Sequence, residues 1–156
     1  MSNLAKDLSD KLRQRGWMMA TAESCTGGMI ASAITDLAGS SAVFDRGFVT
    51  YSNQAKIDLL GVSAKTLERF GAVSAETAKE MAEGAFDNAN VNIAVSVTGI
   101  AGPDGGTDQK PVGLVYIGIT TDDHTHTHKN LFAGSRNDIR QQTVEAALKL
   151  LLAELL

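Results

Sequence analysis

The run Val91-Asn-Ile-Ala-Val-Ser-Val-Thr-Gly99 decides the fold. It is short, almost continuously apolar and rich in β-branched residues, the signature of a central strand covered on both faces. Outward from it, Ser74 starts a helix that runs through Met81 and Phe86. Downstream, Val112–Thr121 and Thr125–Ala133 read as two strands separated by Asp122-Asp123, which suggests a hairpin. Upstream, Trp17–Ser24 and Arg46–Ser52 read as further strands.

Helices fill the intervals. Leu4, Leu8 and Leu12 share one helical face ahead of Gly16, and Met29–Ala38 stops at Gly39. Asn53 is placed to cap a short helix ending at Gly61, and Ser63 another ending near Gly71. Ser135 and Asp138 form a capping-box start to the last helix, with Ile139, Thr143, Ala146, Ala147 and Leu150 on one face. Helices intervene early and a hairpin closes late. The expected fold is therefore one α/β domain over residues 1–156, three layers (α/β/α) around a mixed sheet of five or six strands.

Composition narrows the function. The 156 residues carry a net charge of −4, against a general binder of nucleic acid, which shows a basic stripe. Cys25 is the only cysteine, so no intrachain disulfide and no all-cysteine zinc cage can form. The amphipathic N-terminus lacks the apolar core of a signal peptide, and the run LKLLLAELL is too short to span a bilayer. A soluble, cytoplasmic protein with no membrane partner is expected. The apolar C-terminal helix reads as core or as the seam of a homodimer.

Three polar, glycine-bearing segments stand at strand or helix ends: Glu23–Gly28, Gly39–Ser41 and Thr98–Gly106. One such loop is ordinary turn punctuation, whereas three in a small domain point to a phosphate-bearing ligand. Tyr51-Ser-Asn-Gln-Ala-Lys56 joins a strand to a helix. A lysine partly desolvated there can lose its proton and activate a serine directly or through the Tyr51 hydroxyl. On spacing alone, Tyr51 also fits an ordinary strand aromatic and Lys56 an exposed helix charge. Tyr51 and Lys56 are five apart, not four, and no G-x-G-x-x-G follows the first strand, which argues against a nicotinamide-cofactor dehydrogenase. His124, His126 and His128 alternate on one strand face. Three such histidines can ligate zinc, but their polar setting reads as a solvated face, so no metal is expected. Cys25 reads as a small buried turn residue.

Thr21–Gly28, Gly39–Ser41, Thr50–Asn53 with Lys56, Gly71–Ser74, Thr98–Gly106 and Lys110–Gly113 together resemble the CinA C-terminal domain family, the nicotinamide-nucleotide amidohydrolases. The resemblance spans about Thr21 to Arg136. It implies hydrolysis of nicotinamide mononucleotide to nicotinic acid mononucleotide and ammonia, a step of pyridine nucleotide salvage, with no cofactor and no metal. It implies Ser41 as nucleophile, Lys56 as its base and Tyr51 as relay. Thr98 and Arg136 fall in the implied substrate site, with Ser24 in the motif beside it. The loop residues Thr26, Gly27, Gly99 and Gly102 complete the expected substrate-binding set. Longer members carry a further N-terminal domain for which this chain has no room. The alternative is a non-catalytic nucleotide-binding paralogue acting through a partner.

Overall fold

A computed structural model describes residues 2–156. Five strands, β1 (Met19–Glu23), β2 (Phe44–Val49), β3 (Ile93–Gly99), β4 (Leu114–Thr121) and β5 (Thr125–Leu131), form one sheet in the order β2-β1-β3-β4-β5. β1 runs parallel to both β2 and β3, while β4 and β5 pair antiparallel. The expected mixed sheet thus has five strands, with the hairpin where the Asp122-Asp123 turn suggested it.

Alternation along β3 builds two cores. Ile93, Val95 and Val97 face one layer, made of α1 (Ser2–Arg15), α2 (Met29–Thr35) and α6 (Arg136–Glu154). Ala94 faces the other, made of α3 (Asn53–Leu60), α4 (Ala64–Phe70) and α5 (Ala75–Asp87). Both faces of the central strands are covered, so the continuous apolar run is what burial on two sides requires. On α5, Gly84 has no side chain because a Cβ would lie 1.9 Å from the Leu60 carbonyl oxygen. Its absence lets α5 seat against the end of α3.

The caps follow hydroxyl chemistry. Ser63 and Ser74 accept backbone N–H bonds at the starts of α4 and α5, and Ser135 with Asp138 closes a reciprocal capping box on α6. One cap differs from the sequence expectation. Ser52, not Asn53, caps α3 by accepting from the Ala55 N–H at 3.0 Å, and Asn53 is the first helical residue.

The strand expected over Arg46–Ser52 instead starts at Phe44 and stops at Val49. The carbonyls of Thr50 and Tyr51 instead receive the Lys56 amine. The leucine-rich tail is largely core: Leu148 and Leu151 are fully buried and Leu155 nearly so. The apolar character that suggested a dimer seam is used inside the chain. Among the described residues no helix is long and apolar enough to cross a membrane.

Candidate active site

β1 and β2 lie side by side and point the same way, but their exits part. The loop after β1 leads to α2 on one face, and the loop after β2 leads to α3 on the other. Such a divergence opens a crevice at the carboxyl ends of the strands, the usual place for a ligand in an α/β sheet. A cavity of about 200 Å³ sits there, lined by residues that include Ser24, Tyr51, Lys56, Thr98, Gly99 and Arg136.

Lys56 lies one turn into α3, and its side chain runs inward until only 1% of the residue is exposed. Its Nζ lies 3.0 Å from Ser24 Oγ, 2.9 Å from the Thr50 carbonyl oxygen and 3.2 Å from the Tyr51 carbonyl oxygen. A protonated amine donates to all three. A neutral amine donates to the two carbonyls and accepts the Ser24 hydroxyl proton with its lone pair. Both states are satisfied, so the pocket can hold Lys56 in either. Burial holds the Lys56 pKa below the ordinary lysine value, since no carboxylate lines the pocket to stabilise the cation.

The loop that carries Ser24 is braced from behind. Glu23 is buried, and its Oε1 accepts the Thr26 hydroxyl at 2.6 Å and the Ile30 N–H at 2.9 Å. Its Oε2 accepts the Ala31 N–H at 3.0 Å, so one carboxylate serves the start of α2 and the turn before it. From α6, Arg140 donates to the Cys25 and Thr26 carbonyls at 3.0 and 3.2 Å. Cys25 also lines the cavity, but burial pushes its thiol up to about 11. It is therefore a neutral thiol near pH 7 and a poor nucleophile.

Arg136, the first residue of α6, spans the mouth. It donates to the Gly102 carbonyl at 2.7 Å and to the Tyr51 hydroxyl at 3.1 Å. Gly102 stands at φ +78°, and a Cβ there would lie 2.5 Å from Val112, so the loop can offer this carbonyl only as glycine. The Thr98 hydroxyl donates to the Ala72 carbonyl at 2.8 Å and ties the 72–73 loop to the cavity wall.

The structure thus brings Ser24, Tyr51, Lys56, Thr98, Gly99 and Arg136 together, with Gly102 held on Arg136. It does not bring Ser41 to Lys56. Ser41 is exposed in a 3₁₀ turn (Ser40–Ala42) that precedes β2, whereas Lys56 follows β2. The six residues of β2 separate those two ends by roughly 20 Å at the rise of an extended strand. Gly39–Ser41 therefore lies at the amino end of β2, away from the crevice. Nor does the Tyr51 hydroxyl bond Lys56; it is the backbone carbonyl of Tyr51 that does. Thr26 is buried with its hydroxyl engaged by Glu23, and Gly27 faces Arg140 rather than the cavity.

Two residues given no role by the sequence reading, Glu23 and Arg140, hold the loop. Glu23 carried only a weak signal, an acid at a strand end six residues ahead of the helix start. Arg140 follows Arg136 by one helical turn on the same side, also a readable spacing.

A larger open cleft of about 550 Å³ lies between α5 and the β4–β5 turn. Glu83, Asp87, Asp122 and Asp123 line it, which opposes an anionic ligand. The pocket with Arg136 at its mouth is better matched to an anionic ligand.

With this arrangement described, the chain can be placed: it belongs to the CinA C-terminal domain family, whose match covers residues 1–155. Among its relatives, a protein of Enterobacter agglomerans named nicotinamide-nucleotide amidohydrolase PncC is 52% identical over 99% of this chain and 94% of its own length. A CinA-like protein of Syntrophobacter fumaroxidans is 53% identical over 95% of this chain, but the match spans only 35% of that protein. The competence/damage inducible protein CihA from Agrobacterium tumefaciens, a crystal structure, superposes with a TM-score of 0.96 at 50% identity, covering 97% of this chain and 93% of that one. A CinA superfamily crystal structure from Escherichia coli gives 0.94 at 38% identity over 99% and 90% of the two chains.

Proposed function

We propose that this protein is a nicotinamide-nucleotide amidohydrolase that releases ammonia from nicotinamide mononucleotide in pyridine nucleotide salvage. The observation that carries the reading is the buried contact of 3.0 Å between Lys56 Nζ and Ser24 Oγ in a pocket with no carboxylate. The near full-length likeness to the E. agglomerans amidohydrolase supplies the substrate class.

Ser24 is the nucleophile in this scheme, in place of Ser41. Neutral Lys56 takes the hydroxyl proton as Ser24 Oγ adds to the carboxamide carbon. The amide N–H groups nearest that oxygen in sequence are the oxyanion candidates. Those of Ser24 and Gly27 are taken by the Val97 and Ser24 carbonyls, which leaves Cys25 and Thr26. The carbon–nitrogen bond then breaks, and Lys56 returns its proton to the departing ammonia. Water adds to the acyl–Ser24 ester, gives a proton to Lys56, and the carbon–Oγ bond breaks to restore both groups.

The cavity of about 200 Å³ suits the pyridine end, being below the roughly 300–1,000 Å³ of a cleft for a whole ligand. Arg136 at the mouth then meets the phosphate, for which its planar fork is matched. Incubation of the protein with nicotinamide mononucleotide, with ammonia and the acid product measured together, tests the reading. Equimolar release of both is expected. Thermal stabilisation by the nucleotide without turnover would instead assign the chain a binding role.

A further inference from the structure

The histidine strand has a partner that the sequence does not reveal. β5 is an edge strand, and the period of two puts His124, His126 and His128 on its α6 side. Glu154, the last residue of α6, reaches them with both oxygens. Its Oε1 lies 2.7 Å from His124 Nε2 and its Oε2 2.9 Å from His126 Nε2. One ligand atom from each of the three residues falls within a 4.8 Å group.

We propose that His124, His126 and Glu154 bind one divalent transition-metal ion of the zinc class per chain, outside the amide-hydrolysing pocket. Two imidazoles and a carboxylate form a borderline donor set that favours zinc, cobalt or nickel over magnesium and calcium, which take oxygen. A tetrahedral ion with ligands near 2.0–2.1 Å spaces its donors about 3.3 Å apart, so a small side-chain rotation closes the set. His124, with 52% of its side chain exposed, has the freedom to make it and leaves an entry path.

The neighbouring contact supports ligation as well. His126 Nδ1 lies 2.7 Å from His128 Nε2, so an Nδ1–H donated there leaves Nε2 as the coordinating atom. A ligand histidine commonly has such an outer partner, which fixes its tautomer and ring plane. The fourth position is open to water. The ion ties the final turn of α6 to the sheet edge, while Lys56 lies in the crevice at the carboxyl ends of β1 and β2, so the proposed site is structural.

The test uses the untagged full chain, stripped of metal and titrated with Zn²⁺ and, separately, Co²⁺. Binding of one ion per chain, visible d–d bands for cobalt and a higher Tm with zinc are expected. Glu154→Gln and His126→Gln should each weaken zinc binding at least ~10-fold, and His128→Gln by ~10-fold or less. His124→Gln, at a half-exposed position, gives a variant that preserves the fold. No cobalt band and no Tm shift at millimolar metal would overturn the proposal. So would one ion per two chains, or unchanged affinity in folded His124→Gln and Glu154→Gln proteins.

Discussion

Lys56 and Ser24 come from opposite sides of one crevice, 32 residues apart in sequence, and meet at 3.0 Å with both side chains buried. The contact exists because β1 and β2 send their following loops to different faces. From it follow expectations about proton, substrate and scaffold.

The first concerns pH. Lys56 must be neutral to accept the Ser24 proton, and burial lowers its pKa from the ordinary 10.5. Raising the pH through that depressed pKa converts the cation to the free base, so kcat/KM should rise with pH. The midpoint should lie below the ordinary lysine range. Lys56→Arg keeps a cation that never deprotonates near neutral pH and should lose at least ~100-fold in kcat at every pH tested. A pH profile of wild type and Lys56→Arg checks both points.

Arg136 is expected to act on binding more than on chemistry. Arg136→Ala should raise KM for nicotinamide mononucleotide by at least ~10-fold, the scale of losing hydrogen bonds to a charged group. Tyr51→Phe removes only the hydroxyl that receives Arg136, at an exposed position, so a change of about threefold or less in KM is expected. Steady-state kinetics over a range of substrate concentrations separates the two.

Glu23 should matter for stability. Glu23→Ala strands the Ile30 and Ala31 N–H groups and the Thr26 hydroxyl, all of which it now serves. A loss of about 3 kcal/mol is expected from charged hydrogen bonds of this kind, a fall of roughly 6–12 °C in Tm for a domain of this size. Thermal unfolding by circular dichroism measures it.

Cys25 should be inert despite lining the cavity. With its thiol at about 11, alkylation by iodoacetamide near pH 7 should be far slower than that of a free cysteine, and should accelerate as the pH climbs. Intact mass spectrometry over time reads the rate. Cys25→Ser should retain turnover.

The layers were legible because burial writes itself into sequence. The Val91–Gly99 run, the serine caps and the Asp122-Asp123 turn are local signals, and local signals survive folding. The site was legible only as a set of loops. Lys56 reads as an exposed helix charge until α3 is seen to aim it under the sheet, and nothing local tells Ser24 from Ser41. Each serine stands within three residues of a glycine. Only the parallel pairing of Met19 with Phe44 and Glu23 with Val49 puts one serine at each end of the strands. Glu154 and the histidines meet for the same reason, through a helix-to-strand contact that spacing does not encode.

The most direct test compares Ser24→Ala with Ser41→Ala by ammonia release from nicotinamide mononucleotide, in proteins shown to be folded. The Ser24–Lys56 account predicts that Ser24→Ala falls at least ~100-fold in kcat while Ser41→Ala stays within about threefold of wild type. Near-normal turnover by Ser24→Ala, or its loss in Ser41→Ala, would contradict it.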